Sequence, residues 1–487
     1  MVSIEAWPVW VNMFKKAVLF LLGLFFAALP LFGQRKCGFD VLKAAIIAQN
    51  PGFRETFEQK QEELKNIARA YEQSKFGRKS GATFSGARVT VPVIFHIVAD
   101  ESQYNQLGGL WGIQQRVNSQ IEVLNQDFNR QNPDSVLIPY HWKPFYADVG
   151  IRFGLAHTDP YGYPSPGFDV RIISNYGIGG SGSSYDSAKH TNLGGLDAWD
   201  VKKYINVWCL NFTDLDGLLG LTLPRTLQKS EAQATSDLGI CILYNTLGKR
   251  LSDTDHFPKN RVDGNYFDMG RTLTHEMGHY FEIWHVWGDD GGSCPWLFSS
   301  GCDSAGGKFV LSDLPPQGDH TFGNPDYYID GGTFYDNCGD SCTHPMQPIG
   351  IASLDYLDYT DDQGMHLFTP DQAVIMHSQV DSGGESYSLT LNPELMQYPV
   401  GAPSDVYVFP NPTSDLVTIG WENAKSALRQ VVVFNRIGLR TKVIDIHTDS
   451  TDDHVVISLK GLNNGIYIFQ CIFADKVITQ KIVLYNN

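Results

Sequence analysis

The stretch HEMGHYFEIWH, residues 275–285, contains the residues from which both the fold and the chemistry of this chain are predicted. On a helix, His275 and His279 project from the same face one turn apart, so their imidazole nitrogens can share one metal ion at about 2.1 Å. Glu276 then points beside the position of a water molecule that needs a proton acceptor. The spacing predicts a zinc site on a helix, with Glu276 as the general base.

The third ligand is expected from His285, which is too far along to reach the same metal from a continuing straight helix. The helix should therefore end near Glu282 and the chain should fold back. Glu282 stands at this turn, where Gly or Asn would best tolerate a positive φ. Three neutral imidazoles leave a fourth position for water, whose pKa zinc lowers to about 7. The alternative, a chance string of core histidines, does not account for the whole pattern.

The rest of the 487-residue chain indicates several modules around this motif. Buried strands are predicted at residues 89–100, 151–158 and 204–212, and an amphipathic helix at 114–128. Strands mixed with long helices favour an α/β layer fold, with α+β character. The net charge of −16, without a basic cluster, argues against a nucleic-acid partner.

Both ends of the chain differ in composition from its centre. Residues 1–33 are predicted to be a signal peptide, because two lysines precede an apolar run that is too short to span a membrane. Residues 34–85 are polar and end in a basic, Gly-rich linker that is typical of a protease-sensitive site. After a second linker at 386–404, residues 405–487 form short alternating strands that predict an immunoglobulin-like β-sandwich.

Eight cysteines in an exported chain permit disulfides. Four of them lie in a loop-rich stretch without periodicity and are predicted to form two disulfides among themselves: Cys294, Cys302, Cys338 and Cys342. Three others lie in strand-like apolar runs and are predicted to be buried free thiols: Cys209, Cys241 and Cys471.

Residues 90–372 resemble the pappalysin family of metzincin metallopeptidases. The likeness rests on the zinc motif and on the blocks TVPVIFHIV, IEVLNQDFN, IRFGLAHTDPYG, KKYINVWCLNF, GRTLTHEMGH and LDYTDDQGMHLFT. It implies a twisted sheet, a backing helix around residues 114–128 and an active-site helix, in a catalytic domain spanning 86–385. It also implies a secreted zinc endopeptidase of extracellular proteins that is made as a latent zymogen.

The resemblance implies roles for further residues. Tyr359 matches the tyrosine that stabilises the tetrahedral intermediate. Asp362 matches the acidic residue at the base of the S1′ pocket, which implies cleavage before Arg or Lys. Cys37 matches a pro-segment cysteine whose thiolate blocks the zinc, and its alternative role is an ordinary disulfide. The segment SDLPPQ, residues 312–317, is similar to one near a structural calcium ion, and a solvated acidic loop is its equal alternative.

Three positions depart from the family pattern. Leu357 replaces the methionine of the turn beneath the zinc, although its volume is similar. Gly364 replaces a cysteine, so one family disulfide cannot form as usual, and Cys302 is expected to supply a replacement partner for Cys342. With Glu282, these departures keep open a catalytically degenerate surface adhesin as an alternative function. A metallohydrolase of small peptides is a third.

The last 80 or so residues resemble the C-terminal sorting domain of the type IX secretion system. The match rests on FPNPTSD, GLNNGIYIF and the terminal KIVLY. It implies export by the type IX secretion machinery to the outside of an outer membrane, with removal of the domain and attachment to surface lipid. The protein is therefore expected to be secreted or at the cell surface. A generic adhesive β-sandwich is the alternative.

Overall fold

The computed structural model describes most of the chain from residue 88 onward and a short part of residues 34–85, the predicted pro-segment with its linker. The described residues are 36–39, 42–43, isolated positions between 48 and 70, 88–162, 164–173, 184–212, 217–222, 224–225, 238–253, 255–258, 266–287, 313–314, 320–324, 351–397, 406–413, 415–421, 428–446, 454–474 and 476–485. The predicted signal peptide and the four loop cysteines lie outside these residues. Among the described residues, no helix has the length and apolar character needed to cross a membrane.

The long strand β2 (Val89–Asp100) is the centre of a seven-stranded sheet. It is rich in β-branched residues and is buried along almost its whole length, as expected for a strand that is covered on both faces. Its first half pairs in parallel with β3 (Ile151–Leu155) and its second half with β4 (Phe168–Ile173). On its other side lies β5 (Ile205–Leu210), also parallel. All the strands predicted here from sequence are present.

The other edge of this sheet leads to the pro-segment. Next to β5 lies the parallel strand β7 (Ile240–Leu243), and β6 (Leu218–Leu221) is antiparallel to β7. The short strand β1 (Lys36–Cys37) pairs in parallel with β6. The sheet order is therefore β1-β6-β7-β5-β2-β3, with β4 also on β2, and the pro-segment extends the sheet beyond β6.

The named α-helices of the described residues are α1 (Glu101–Gln106), α2 (Gly109–Phe128), α3 (Ser184–Ala188), α4 (Arg271–Tyr280) and α5 (Pro370–Val380). The expected backing helix is α2. It starts five residues before the predicted position, directly after Gly108 with φ of 86°. At its other end, Phe128 packs edge-on against Phe153 of β3, with 4.9 Å between ring centroids. Sheet, backing helix and active-site helix thus share one core.

The C-terminal part forms two antiparallel sheets. One has the order β11-β10-β13-β14 and the other β12-β9-β8. Their strands are β8 (Val406–Phe409), β9 (Leu416–Trp421), β10 (Leu428–Asn435), β11 (Arg440–Asp445), β12 (His454–Ser458), β13 (Gly465–Phe473) and β14 (Val477–Leu484). Residues of both sheets share one apolar core. The two-layer β architecture agrees with the sequence, and its immunoglobulin-like character stays a prediction.

The three cysteines predicted to be buried free thiols are confirmed as such. Cys209 and Cys241 lie in β5 and β7, and Cys471 lies in β13. Burial raises the pKa of Cys241 to about 11 and that of Cys471 to about 12. These thiols are therefore protonated and unreactive at neutral pH.

Candidate metal centre

Helix α4 carries the first two histidines of the motif and is buried along its length. Its N-terminus is fixed by Arg271, whose guanidinium makes two bonds of 2.6 and 2.8 Å to the carboxylate of Asp134. The carboxylate of Asp362 caps the same end, because its Oδ2 accepts a hydrogen bond of 2.8 Å from the N–H of Met269. The helix cannot slide or rotate without breaking these contacts.

The chain turns back directly after α4, as predicted. Helix α4 ends at Tyr280, and Glu282 has φ of 75°, one of two positive values outside glycine among the described residues. The N–H of Ile283 donates to the carbonyl of Gly278 at 3.0 Å, which closes the turn. This left-handed residue reverses the chain and brings His285 back to the helix.

Three imidazoles converge at this point. The Nε2 atom of His285 lies 3.2 Å from Nε2 of His275 and 3.1 Å from Nε2 of His279. Nitrogens that bind one zinc tetrahedrally at 2.0–2.1 Å are about 3.3 Å apart, so the spacing fits zinc. The Nδ1 atoms of His275 and His279 lie 2.7 and 2.6 Å from main-chain carbonyl oxygens, to which they donate.

These bonds fix the tautomer of both rings, so each ring places an Nε2 lone pair beside Nε2 of His285. Burial, reinforced by the neighbouring His285, lowers the pKa of His279 well below its ordinary value, which keeps this ring neutral. Lone pairs facing each other at about 3 Å are repulsive unless a cation lies between them. The donor set therefore suits a metal ion, and zinc is the metal its chemistry favours.

Cys37 completes a four-residue cluster with the histidines. Its Sγ and the three imidazole nitrogens lie within 4.8 Å of one another, and all four residues are buried. Within the part of the chain that the structure describes, no other group of three or more such side chains could share a metal ion. The position of Cys37 is set by β1 and by the N–H of Gly38, which donates to the carbonyl of Gly220 at 3.0 Å.

Glu276 lies under β6, which lies between β1 and β7 in the sheet. It is 1% exposed, and a Cβ atom added at Gly220 would be only 2.2 Å from its Oε1. Glycine at this position therefore leaves the space that the carboxylate occupies.

Tyr359 and Leu357 lie on the other side of the histidines. The Tyr359 hydroxyl accepts from the N–H of Cys37 at 3.2 Å and donates to its carbonyl at 3.3 Å. Its ring centroid is 5.0 Å from that of His285. Leu357 is fully buried beneath α4, where a Cβ atom on Gly278 would approach its Cδ2 to 2.8 Å. Leucine thus supplies an apolar floor in contact with the helix at this glycine.

The comparisons with known proteins agree with this geometry. A family model described as "Secretion system C-terminal sorting domain" matches residues 407–485. An extracellular metalloprotease of Sordaria macrospora is 27% identical over 301 residues, which are 61% of this chain and 77% of that protein. Mature mirolysin of Tannerella forsythia, solved with a cleaved peptide, is 30% identical with a TM-score of 0.51, covering 64% of this chain and 99% of that one.

The chain belongs to the pappalysin family of metzincin metallopeptidases. A solved promirolysin mutant of Tannerella forsythia is 28% identical with a TM-score of 0.55, and this match extends to 74% of the chain and 98% of that protein. This pappalysin is thus a metallopeptidase that carries a type IX sorting domain, and it is secreted or located at the cell surface.

Sequence reasoning missed two aromatic residues of this centre. Phe39 stacks on His279 with 4.6 Å between centroids and 10° between planes. Trp287 stacks on His285 at 4.2 Å and 7°. The available signal was their closeness in sequence to Cys37 and to His285.

The predicted calcium-binding segment lies at the edge of the described residues. Of the calcium-like segment, only Asp313 and Leu314 are described. Asp313 is half-buried as a residue, its Oδ2 accepts from the N–H of Asp371 at 2.8 Å, and burial of its carboxyl raises its pKa well above the ordinary value. Its carboxyl thus caps helix α5, and calcium binding by this segment stays a prediction.

Gly364, which stands where the family has a cysteine, is buried at the end of the short 3-10 turn Asp362–Gly364.

Proposed function

We propose that this pappalysin is a zinc-dependent endopeptidase of extracellular proteins, held latent by its pro-segment, that cleaves before Arg or Lys. The observation that carries the proposal is the convergence of three imidazole Nε2 atoms at 3.1–3.2 Å beside the buried Glu276. His275, His279 and His285 are the proposed zinc ligands. Zinc, when bound, would supply a Lewis acid that activates water and the scissile carbonyl.

The side chains around the histidines supply the other steps. Glu276, confined below β6, takes the proton of the attacking water and delivers it to the leaving amine. The Tyr359 hydroxyl, which here bonds to the main chain of Cys37, donates to the oxygen that gains charge in the transition state. The free edge of β6, vacated by β1, offers main-chain partners to an extended substrate.

Latency is assigned to Cys37. A thiolate is a strong zinc ligand, and this Sγ lies in the same buried cluster as the three histidines. Removal of the pro-segment, proposed as residues 34–85 after a signal peptide at 1–33, would open the centre to water. The catalytic domain is proposed to span 86–385.

Specificity is assigned to Asp362 by resemblance. The residue is 1% exposed, and its Oδ2 is engaged by the N–H groups of Met269 at 2.8 Å and Arg271 at 3.4 Å. Its carboxylate would also pair with an incoming Arg or Lys, and an apolar residue in that place would bind less well by about 1–3 kcal/mol.

A peptide-library digest tests this pocket, with Asp362→Asn compared against Asp361→Asn, its buried neighbour. Basic residues after the cut should be enriched about tenfold or more and should lose that enrichment only in Asp362→Asn. If the enrichment of basic residues survives in Asp362→Asn, or vanishes only in Asp361→Asn, then Asp362 does not supply the carboxylate of this pocket.

Export and crosslinking complete the proposal. Residues 405–487, following a linker at 386–404, would engage the type IX secretion machinery, be removed and leave the enzyme attached to surface lipid.

Two disulfides would join the loop cysteines Cys294, Cys302, Cys338 and Cys342, and mass spectrometry of the non-reduced mature protein would detect them. A structural calcium ion is proposed for the neighbouring loop.

Casein hydrolysis tests the function itself. Wild-type protein should cleave casein, a zinc chelator should abolish cleavage, and Glu276→Ala should retain zinc while losing at least about two orders of magnitude in rate. Undiminished turnover by Glu276→Ala would remove this residue from the mechanism. A zinc-loaded protein that binds proteins without cleaving any peptide bond would instead be a surface adhesin, and one that cleaves only short peptides a small-peptide hydrolase.

A further inference from the structure

Among the described residues of the pro-segment, Phe39 brings an aromatic ring against the metal centre. It is fully buried, and its ring stacks on His279 at 4.6 Å. It also meets Trp284 edge-on at 5.4 Å and His285 edge-on at 5.7 Å. The ring therefore fits a recess formed by the face of the His279 imidazole, with the rings of His285 and Trp284 at its sides.

The main chain delivers Phe39 to this recess. The N–H of Gly38 donates to the carbonyl of Gly220 of β6, and a Cβ atom at Gly38 would be 1.9 Å from Leu221 Cδ1, so a larger residue here would have to displace the Leu221 side chain. The N–H of Phe39 then donates to Cys37 Sγ at 3.4 Å, which fixes the turn between the two side chains. The segment Cys37–Phe39 thus acts as one unit, which contacts β6, the metal centre and the aromatic recess.

A substrate must use the same edge of the sheet. The recess walls His279, Trp284 and His285 belong to the catalytic domain and remain when the pro-segment leaves. Their apolar faces would then be uncovered beside the scissile bond, which favours a flat ring that restores the lost burial. Lys43, whose Nζ is 4.4 Å from the Trp284 centroid, belongs to the pro-segment and leaves with it.

We propose that this recess is an aromatic subsite of the substrate cleft, and that Phe39 is its built-in occupant in the zymogen. The inference rests on the proposed function. Phe, Tyr or Trp should be preferred within two residues of the scissile bond, because Phe39 is two residues from the side chain at the metal centre. This preference is separate from the basic preference assigned to Asp362, since neutral ring faces give no counter-charge to Arg or Lys.

Peptides of residues 35–44, RKCGFDVLKA, test the recess without any folding risk. Their binding is measured by fluorescence anisotropy on Glu276→Ala protein that trypsin has cut at the basic linker and that has been separated from its pro-segment, so neither hydrolysis by the enzyme nor its own Phe39 can interfere. Replacing Phe39 by Ala should weaken binding about tenfold to hundredfold, whereas Tyr or Trp should keep it within about threefold. A peptide with Leu at this position, which has a similar volume but no flat face, should have an affinity between those of the Ala peptide and the aromatic peptides.

The same series carrying Cys37→Ser separates the recess from the thiolate. The Phe39 dependence should persist there, although every peptide binds more weakly. Equal binding of the Phe39→Ala peptide and its parent in both series would overturn the proposal, and so would a peptide of native sequence that does not bind.

A digest of an unbiased peptide library by mature wild-type enzyme supplies the matching readout. Aromatic enrichment within two residues of the cut supports the subsite, and its absence overturns it. Failure of the proposed function looks different: no cleavage by wild-type protein would refute the endopeptidase, while the binding series on Glu276→Ala would still report on the recess.

Discussion

Substituting Gly220 by Ala should disable the general base while leaving the fold intact. The new Cβ atom would be 2.2 Å from Glu276 Oε1 and 2.6 Å from its Cδ and Cγ. Non-bonded heavy atoms prefer about 3.5 Å, so the carboxylate must move by roughly 1 Å. A misplacement of about 1 Å of a catalytic group can cost about a hundredfold in rate. We expect kcat to fall by about tenfold to hundredfold.

The three nearest atoms all belong to the Glu276 side chain and none to the backbone, so the fold should be retained. Fluorogenic-peptide hydrolysis, zinc content and thermal unfolding are measured together. Gly154→Ala in β3 is the matched control, because its Cβ atom would meet the flexible Met396 Sδ at 2.6 Å, away from the metal centre. It should keep wild-type kcat. Wild-type turnover by Gly220→Ala, with the protein folded and zinc bound, would refute the assigned position of Glu276.

Three further outcomes follow from the same contacts. Tyr359→Phe removes the phenolic donor and should lower kcat by about tenfold to a thousandfold with normal zinc content, as steady-state kinetics would show. Asp355→Asn should raise the stability measured by chemical denaturation by about 1–3 kcal/mol. Burial raises the pKa of Asp355 to about 8 in the folded state. The carboxyl therefore favours the folded state fully below about pH 4, and this contribution is lost as the pH rises to about 8. The stability gained by Asp355→Asn over wild type should grow over the same interval. A gain that is constant with pH would contradict this. Cys209 and Cys241 should resist alkylation at pH 8 in the native protein and react only on unfolding, as mass spectrometry would detect.

The elements governed by local spacing could be predicted from the sequence. The helical period places His275 and His279 on one face, and the distance to His285 requires the reversal that Glu282 makes with φ of 75°. The strand β2 was evident from its continuous apolar, β-branched run. The start of α2 was missed because Gly109 and Gly112 lower helix propensity there, while burial of residues such as Leu110 and Ile113 stabilises the first turns.

Contacts between distant parts of the chain could not be predicted. Asp362 was assigned from resemblance to a specificity pocket, and only the structure reveals that it caps α4 from 91 residues away. The pairing of β1 with β6, and with it the stacking of Phe39 on His279, depends on a parallel contact between segments with no shared local pattern. Such contacts are set by tertiary packing, which spacing along one segment does not encode.

The central claim is that His275, His279 and His285 hold zinc and that Cys37 blocks it in the zymogen. X-ray absorption at the zinc edge, on the full chain and on the processed enzyme, tests it most directly. We expect three nitrogens at about 2.0–2.1 Å plus one sulfur at about 2.3 Å in the full chain, with the sulfur replaced by oxygen after processing. Cys37→Ser should lack the sulfur in both forms. A zinc site with fewer than three nitrogens, or a full-length spectrum without sulfur, would contradict it.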